Sequence, residues 1–145
     1  QRVREEKGLV YSIYSAPSSY PGCGDFAICA AAAPGSAARV IREIIEECSR
    51  LLRDGVNEQE LEQAKAQLRT GFVLSQESAY ARMSSWGMQA LLRSKVTLPS
   101  QTLRGIARVT PKAVMAMAQH IFTQQPSMAV VGRNAEKLVN KQGLV

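Results

Sequence analysis

The sequence predicts an α+β fold: a two-layer sandwich with helices packed on one face of a largely antiparallel sheet. Two stretches with strand character lie near the start of the chain, and four or five helical stretches follow before a third strand-like run. With 145 residues, 46% hydrophobic and 21% charged, the chain can bury a core of its own. No linker, repeat or low-complexity tract interrupts this order, so we predict a single α+β domain over residues 1–145.

Three short segments have strand character. Residues 9–15 alternate between two faces, and residues 25–33 have larger apolar side chains on one side and small ones on the other. Residues 16–24 are rich in Pro, Gly and Ser, which predicts an exposed loop or an elongated hairpin tip. The apolar run of residues 127–131 predicts a third strand.

The first residues are typical of the end of a helix. Lys7-Gly8 has the pattern of a last helical turn followed by its C′ glycine, with a cation near the carbonyl end. No helix-opening residue precedes this turn. We therefore expect a domain that is truncated at its N-terminus, and whose missing strands complete an otherwise thin sheet.

Capping signals mark the helices. A helical apolar pattern begins after Pro34-Gly35-Ser36 and ends at Asp54-Gly55. Asn57 and Glu60 have the spacing of a capping box, so a second helix should follow at once. Glu43, Glu47 and other glutamates of these helices lie near Arg or Lys three or four residues away, which is typical of a solvated face.

Further helices follow a bend near residues 77–78. Helical spacing through Met83, Trp86 and Leu91 predicts a third helix with these side chains on its packed face. Pro99 begins a short helix, and Thr110-Pro111 provides an N-cap and an N1 proline for another.

The charge of the chain is positive but carries no binding motif. The sequence has 18 Lys and Arg against 12 Asp and Glu, a net charge of +6. No stacking platform or groove-reading motif accompanies this charge, so we predict no nucleic-acid partner. The longest apolar run is far shorter than the roughly 20 residues of a membrane-spanning helix, so we also predict no membrane partner.

The cysteine and histidine content does not suit a metal or cofactor site. Three cysteines without metal-type spacing and one histidine give neither a disulfide framework nor a zinc knuckle, so we predict no metal and no cofactor in this chain. Cys29 and Cys48 are expected to pack in the core, and Cys23 to lie in a loop. Free thiols favour a reducing compartment such as the cytoplasm.

Arg4 and Tyr11 are the candidate functional residues. Seven positions separate them across a helix end, a glycine turn and the start of a strand, so their side chains could converge at one corner of the sheet. Both are hydrogen-bond donors suited to a peptide carbonyl or to the oxyanion that it becomes during attack. From chemistry alone, the simpler interpretation is a surface arginine and a half-buried strand tyrosine.

A resemblance along most of the chain adds to this interpretation. Residues 4–12, REEKGLVYS, closely resemble the R-E-x-[KR]-G-L-x-Y-S segment of insulinase-type zinc metallopeptidases, the family of pitrilysin, insulin-degrading enzyme and mitochondrial processing peptidase. Other segments resemble the same family in the same order: residues 24–26, 54–65, 109–111 and 129–132.

The resemblance implies a specific place in that enzyme. In this family two homologous α+β halves close on each other; one carries H-x-x-E-H and a distant Glu for zinc, and the other carries an Arg/Tyr pair. This chain resembles most of the second, non-catalytic half, and Arg4 and Tyr11 match the pair that contacts substrate and stabilises the tetrahedral intermediate. The resemblance implies that zinc belongs to the partner half, and that this chain alone is inactive.

Several partners are compatible with this resemblance. The zinc-bearing half would belong to the same chain or to a separate subunit, the substrate would be a peptide, and a homodimer also fits. An alternative is a structural or scaffold subunit without protease activity, as some relatives are. Retention of both donors argues against a purely structural role.

Overall fold

The computed structural model describes residues 2–133 and residue 135, and it has the predicted α+β architecture. Two strands and five α-helices follow one another: β1 (Ser12–Tyr20), β2 (Cys23–Ala31), α1 (Ala37–Asp54), α2 (Glu58–Ser75), α3 (Ala79–Arg93), α4 (Pro99–Arg108) and α5 (Pro111–Phe122). A single π-helical turn, Arg2–Glu6, precedes β1 and is called the N-terminal turn below. A short 3-10 turn, Pro34–Ser36, leads into α1.

The sheet is one antiparallel hairpin of β1 and β2. Pro21 and Gly22 connect the strands, and Gly22 has a φ of +83°, which suits the third position of a type II turn. The strands continue up to this turn. Of the two interpretations of residues 16–24, the elongated hairpin is therefore correct and the loop is wrong.

The predicted third strand at residues 127–131 is wrong. These residues form no strand, and the side chain of Val131 is 99% exposed. A strand needs a hydrogen-bonded neighbour, and within the described part of the chain β1 and β2 pair only with each other. An apolar run alone does not supply that neighbour.

The chain divides into two compact units, which are described separately. The first contains the described residues up to Ser18, then Gly24–Asp54, then the described residues from Met117 onward; the second contains Ser19–Cys23 and Gly55–Ala116. The prediction of one domain over residues 1–145 stays a prediction.

The first unit is built around three buried valines. Val3 of the N-terminal turn, Val10 before β1 and Val40 of α1 are 5%, 8% and 3% exposed and form one cluster. Partly buried side chains of the same unit surround it, including Ile13 and Ile44. The cluster thus joins the N-terminal turn, the hairpin and α1, and its burial stabilises this region.

The second unit begins with the predicted capping box. The Asn57 side chain accepts a hydrogen bond from the Glu60 N–H at 2.8 Å, and the Glu60 carboxylate accepts one from the Asn57 N–H at 3.2 Å. Both bonds satisfy backbone donors at the start of α2. Leu61, one turn into the helix, is 7% exposed, and α2 packs against α4.

Helix α3 begins as predicted but does not bury the predicted face. The Ser78 hydroxyl accepts a hydrogen bond from the Ala81 N–H at 3.2 Å and caps the helix. Met83, Trp86 and Leu91 are nevertheless 63%, 41% and 81% exposed, so the prediction that they pack inward is wrong. The apolar spacing is real, but no element among the described residues covers it.

Cys29 is also more exposed than predicted. It lies on β2 beside Tyr14 of β1, and a hydrogen bond with its thiol raises the pKa of Tyr14. Cys23 is exposed and Cys48 half-buried, and all three cysteines are free. The core assignment of Cys29 fails because its face of the two-stranded sheet has no covering layer in the described residues.

Over the described ranges, the helices lack the combination of length and apolarity that crossing a bilayer requires.

Candidate functional site

The N-terminal turn ends in a compact backbone structure around Gly8. Three N–H groups donate to carbonyls of the turn: Lys7 to Arg2 at 3.0 Å, Gly8 to Arg4 at 3.1 Å and Leu9 to Val3 at 3.2 Å. Gly8 has a φ of +58°, the left-handed conformation that the C′ position requires. The prediction that Lys7-Gly8 ends a helical turn is confirmed, although the turn is π-helical rather than α-helical.

Arg4 and Tyr11 each follow a buried valine. Arg4 comes directly after Val3 and is exposed, and Tyr11 comes directly after Val10 and is 75% exposed. The backbone N–H of Tyr11 donates to the carbonyl of Ala31 at 2.8 Å, which fixes this position to the end of β2. Because Val3 and Val10 belong to one cluster, the backbones that carry the two candidate side chains are anchored in the same small core.

The polar groups of both candidate side chains have no hydrogen-bond or ion-pair partner among the described residues. Within the described part of the chain, neither the Arg4 guanidinium nor the Tyr11 hydroxyl forms a hydrogen bond or an ion pair. Their neighbours differ: Arg2 pairs with Glu6 and with Glu47, each at 3.4 Å. Two unpaired donors on anchored backbone are available to a ligand, which the half-buried tyrosine of the simpler interpretation would not be.

Lys7 is paired as well. Its ammonium forms an ion pair and hydrogen bond with the Glu43 carboxylate of α1. This hydrogen bond, reinforced by the charge of Lys7 and of two nearby arginines, lowers the pKa of Glu43 below its ordinary value. Glu43 is therefore ionised at neutral pH, and its charge is balanced.

An open groove of about 360 Å³ lies within the first unit, but it is separate from the candidate residues. Its walls are mainly apolar and include Ile13, Phe26 and Ile44. Neither Arg4 nor Tyr11 lines it. The phenyl rings of Phe26 and Phe122 meet edge to face at 5.6 Å at this groove, which is the packing expected of a core margin.

The described residues do not offer a metal site. No three of their His, Cys, Asp and Glu side chains are grouped so that they could hold a metal ion. Zinc in proteins is held by three or four such ligands. The donor set at Arg4 and Tyr11 is also unsuited to a cation, because both groups donate hydrogen bonds.

Comparison with known proteins gives a match to one family. Residues 1–68, which include Arg4 and Tyr11, match the family model described as the Peptidase M16 inactive domain. A protein of Mycobacterium tuberculosis named an uncharacterized zinc protease is 37% identical over 137 residues, which are 94% of this chain and 31% of the relative. The first 68 residues of the chain thus resemble the inactive domain of M16 peptidases.

Other relatives carry the same description. An uncharacterized zinc protease of Bacillus subtilis is 33% identical over 131 residues, covering 90% of this chain and 32% of the relative. One from Streptomyces coelicolor is 31% identical over 141 residues, covering 97% of this chain and 31% of the relative. The chain thus spans about a third of the length of these relatives.

A solved structure shares the fold. A chain of Complex III2 from Candida albicans, with Inz-5 bound, superimposes with a TM-score of 0.73 at 19% sequence identity. The superposition covers 81% of this chain and 28% of the other. At this identity the similarity is evidence for the fold alone.

These findings confirm the recognition made from the sequence, a resemblance to the non-catalytic half of an insulinase-type peptidase. Sequence patterns missed two residues of the site's surroundings. Glu43 and Glu47 were assigned to a solvated helix face, whereas they pair with the N-terminal turn. A signal was available: both lie on the helical face of Val40, three and seven positions further on.

Proposed function

We propose that this chain is the substrate-binding, non-catalytic half of a zinc-dependent metalloendopeptidase. In this proposal Arg4 and Tyr11 donate hydrogen bonds to the substrate near the scissile peptide and to the tetrahedral oxyanion formed during attack. The observation that carries the proposal is the pair of exposed, unpartnered donors on backbone held by one buried valine cluster. Similarity to the M16 inactive domain and to relatives that are named zinc proteases supports it.

The chemistry of the two side chains suits this role. A guanidinium has five N–H donors and keeps its positive charge at every physiological pH. It can therefore stabilise the negative charge that develops on a carbonyl oxygen during attack. A phenol adds a neutral donor of defined direction. Preorganised hydrogen-bond donors stabilise the negative charge of the transition state more than the ground state, and that difference accelerates the reaction.

The proposed enzyme needs a second half. The described residues lack a zinc ligand set, so the metal would be held by a homologous half that carries H-x-x-E-H, in the same polypeptide or in a separate subunit. The chain alone would then bind peptide without cleaving it. The length of the relatives named zinc proteases, about three times that of this chain, leaves room for such a half.

The proposal is tested in the complete enzyme, with the zinc-bearing half present. Arg4→Ala and Tyr11→Phe should each lower kcat for a peptide substrate by about ten- to a thousandfold, the usual cost of removing an oxyanion donor. Zinc content should not change, because neither residue is a metal ligand.

Two variants serve as matched controls. Arg69→Ala removes another exposed arginine, and Tyr80→Phe removes the hydroxyl of a tyrosine that is 73% exposed. Both should keep wild-type turnover. Wild-type turnover in Arg4→Ala and Tyr11→Phe as well would refute the assigned roles, and a complete, zinc-loaded protein that cleaves no peptide would favour the scaffold alternative.

A further inference from the structure

We propose that Glu43 and Glu47 of α1 are positioning residues, which hold the N-terminal turn through Lys7 and Arg2 and so orient Arg4. The inference rests on the proposed function, because it concerns how Arg4 is presented to substrate. It assigns a role to two carboxylates that do not themselves contact substrate.

The two ion pairs attach both ends of the turn to α1. Glu47 pairs with Arg2 at the first residue of the turn, at 3.4 Å, and Glu43 pairs with Lys7 just after its last residue. Arg4 lies between these two attachment points. Glu43 and Glu47 are one helical turn apart on α1, so a single rigid helix provides both attachments.

These pairs differ from the other ion pairs among the described residues. The remaining pairs, such as Lys65 with Glu62 at 2.7 Å, join residues of one turn or one helix. The two pairs at the N-terminal turn instead connect separate elements. Their carboxylates are also better shielded, with 19% of the Glu43 side chain exposed and 25% of Glu47, against 70% for Glu62.

A turn of five residues needs such external support. One helical turn is too short to be stable in water by itself, because few hydrogen bonds offset the loss of backbone freedom. Val3 anchors one side of the turn in the valine cluster. An apolar contact has no preferred direction, whereas two ion pairs at opposite ends limit rotation of the turn about that anchor.

Arg50 contributes from α1 as well. Its guanidinium donates to the second oxygen of Glu47 at 2.6 Å, so Glu47 lies between two arginines and its carboxylate is held on both sides. A carboxylate that is itself fixed can fix its partner more precisely. Arg4 thus lies between two cations, Arg2 and Lys7, whose charges are already neutralised by carboxylates of α1.

The test combines kinetics with hydrogen exchange in the complete enzyme. The double variant Glu43→Gln/Glu47→Gln should lower kcat by about 3- to 30-fold, since small displacements of a catalytic group are costly. Amide exchange of residues 7–9, whose N–H groups bond to the turn, should become at least about threefold faster. The control Glu46→Gln/Glu62→Gln removes two more exposed carboxylates and should change neither quantity.

A double-mutant cycle with Arg4→Ala separates positioning from general stability. If the carboxylates act through Arg4, adding the two Gln substitutions to Arg4→Ala should lower kcat by no more than about twofold further. The full loss in that background would overturn the proposal, as would unchanged exchange in the Gln variant. Amide hydrogen exchange does not depend on activity. If Arg4→Ala kept wild-type turnover, the proposed function would be refuted. The exchange of residues 7–9 would still decide whether the carboxylates hold the turn.

Charge reversal gives a second, independent measurement. Lys7→Glu or Glu43→Lys alone places like charges together and should speed exchange of residues 7–9. Combining the two restores opposite charges and should bring exchange back to within about twofold of wild type. No recovery in the combined variant would contradict a role for the ion pair.

Discussion

The N-terminal turn with the residues up to Tyr11 and helix α3 both leave large side chains exposed, but for different reasons. Around the turn, apolar Val3 and Val10 are buried and the exposed side chains are polar or charged, Arg4 and Tyr11 among them. On α3 large apolar side chains are exposed, with Met83 and Leu91 63% and 81% exposed. Exposed hydrogen-bond donors whose backbone is held by a buried cluster indicate a binding site. An exposed apolar helix face does not by itself identify a ligand.

Of the substitutions that test this contrast, the largest effect on stability is expected at the valine cluster. Val40→Ala should lower the free energy of unfolding by about 2 kcal/mol, because Val40 is 3% exposed and packs within the valine cluster. Val73→Ala on α2, where the valine is 50% exposed, should stay within about 0.5 kcal/mol of wild type. Denaturant titration measures both; equal losses would contradict the contrast between the regions.

A glycine pair gives smaller effects of opposite sign. Gly8 has a φ of +58° and open space where a Cβ would lie, so Gly8→Ala should cost about 1 kcal/mol from backbone strain alone. Gly71 lies inside α2 with equally open space, so Gly71→Ala should stabilise by about 0.5 to 1 kcal/mol. Thermal unfolding of both variants tests this. A stabilising Gly8→Ala would show that the turn does not keep its left-handed glycine.

The smallest effect is the pH dependence from Glu43. The hydrogen bond from Lys7 lowers the folded pKa of Glu43, so the stabilisation is complete above the ordinary glutamate pKa of about 4.3 and is lost as pH falls through the depressed value. Between pH 6 and pH 3, wild type should lose more stability than Glu43→Gln, which has no carboxyl to titrate. Urea midpoints at both pH values measure the difference; parallel losses would rule out the ion pair as its source.

Local signals predicted the helices well. Asn57 with Glu60 marked the start of α2, and Pro99 and Pro111 are the first residues of α4 and α5. Each of these signals acts through hydrogen bonds or backbone restrictions that span no more than a few residues. The bend predicted near residues 77–78 likewise falls where Ser78 caps α3.

The candidate site was predictable in its residues but not in its surroundings. The types and spacing of Arg4 and Tyr11 suggested paired donors, and the resemblance gave them a role. That Arg4 lacks an acidic partner within the described part of the chain while Arg2 and Lys7 have one depends on α1, which lies more than thirty residues away. No local pattern contains that information.

The sequence by itself determined where most helices begin, that residues 7–8 close a turn, and the family that the chain resembles. Only the tertiary structure decided that residues 127–131 form no strand, that the apolar face of α3 and Cys29 are exposed, and which cations are neutralised. The physical reason is range: capping and backbone preferences act over a few residues, whereas burial and ion pairing depend on which distant segment lies against a side chain.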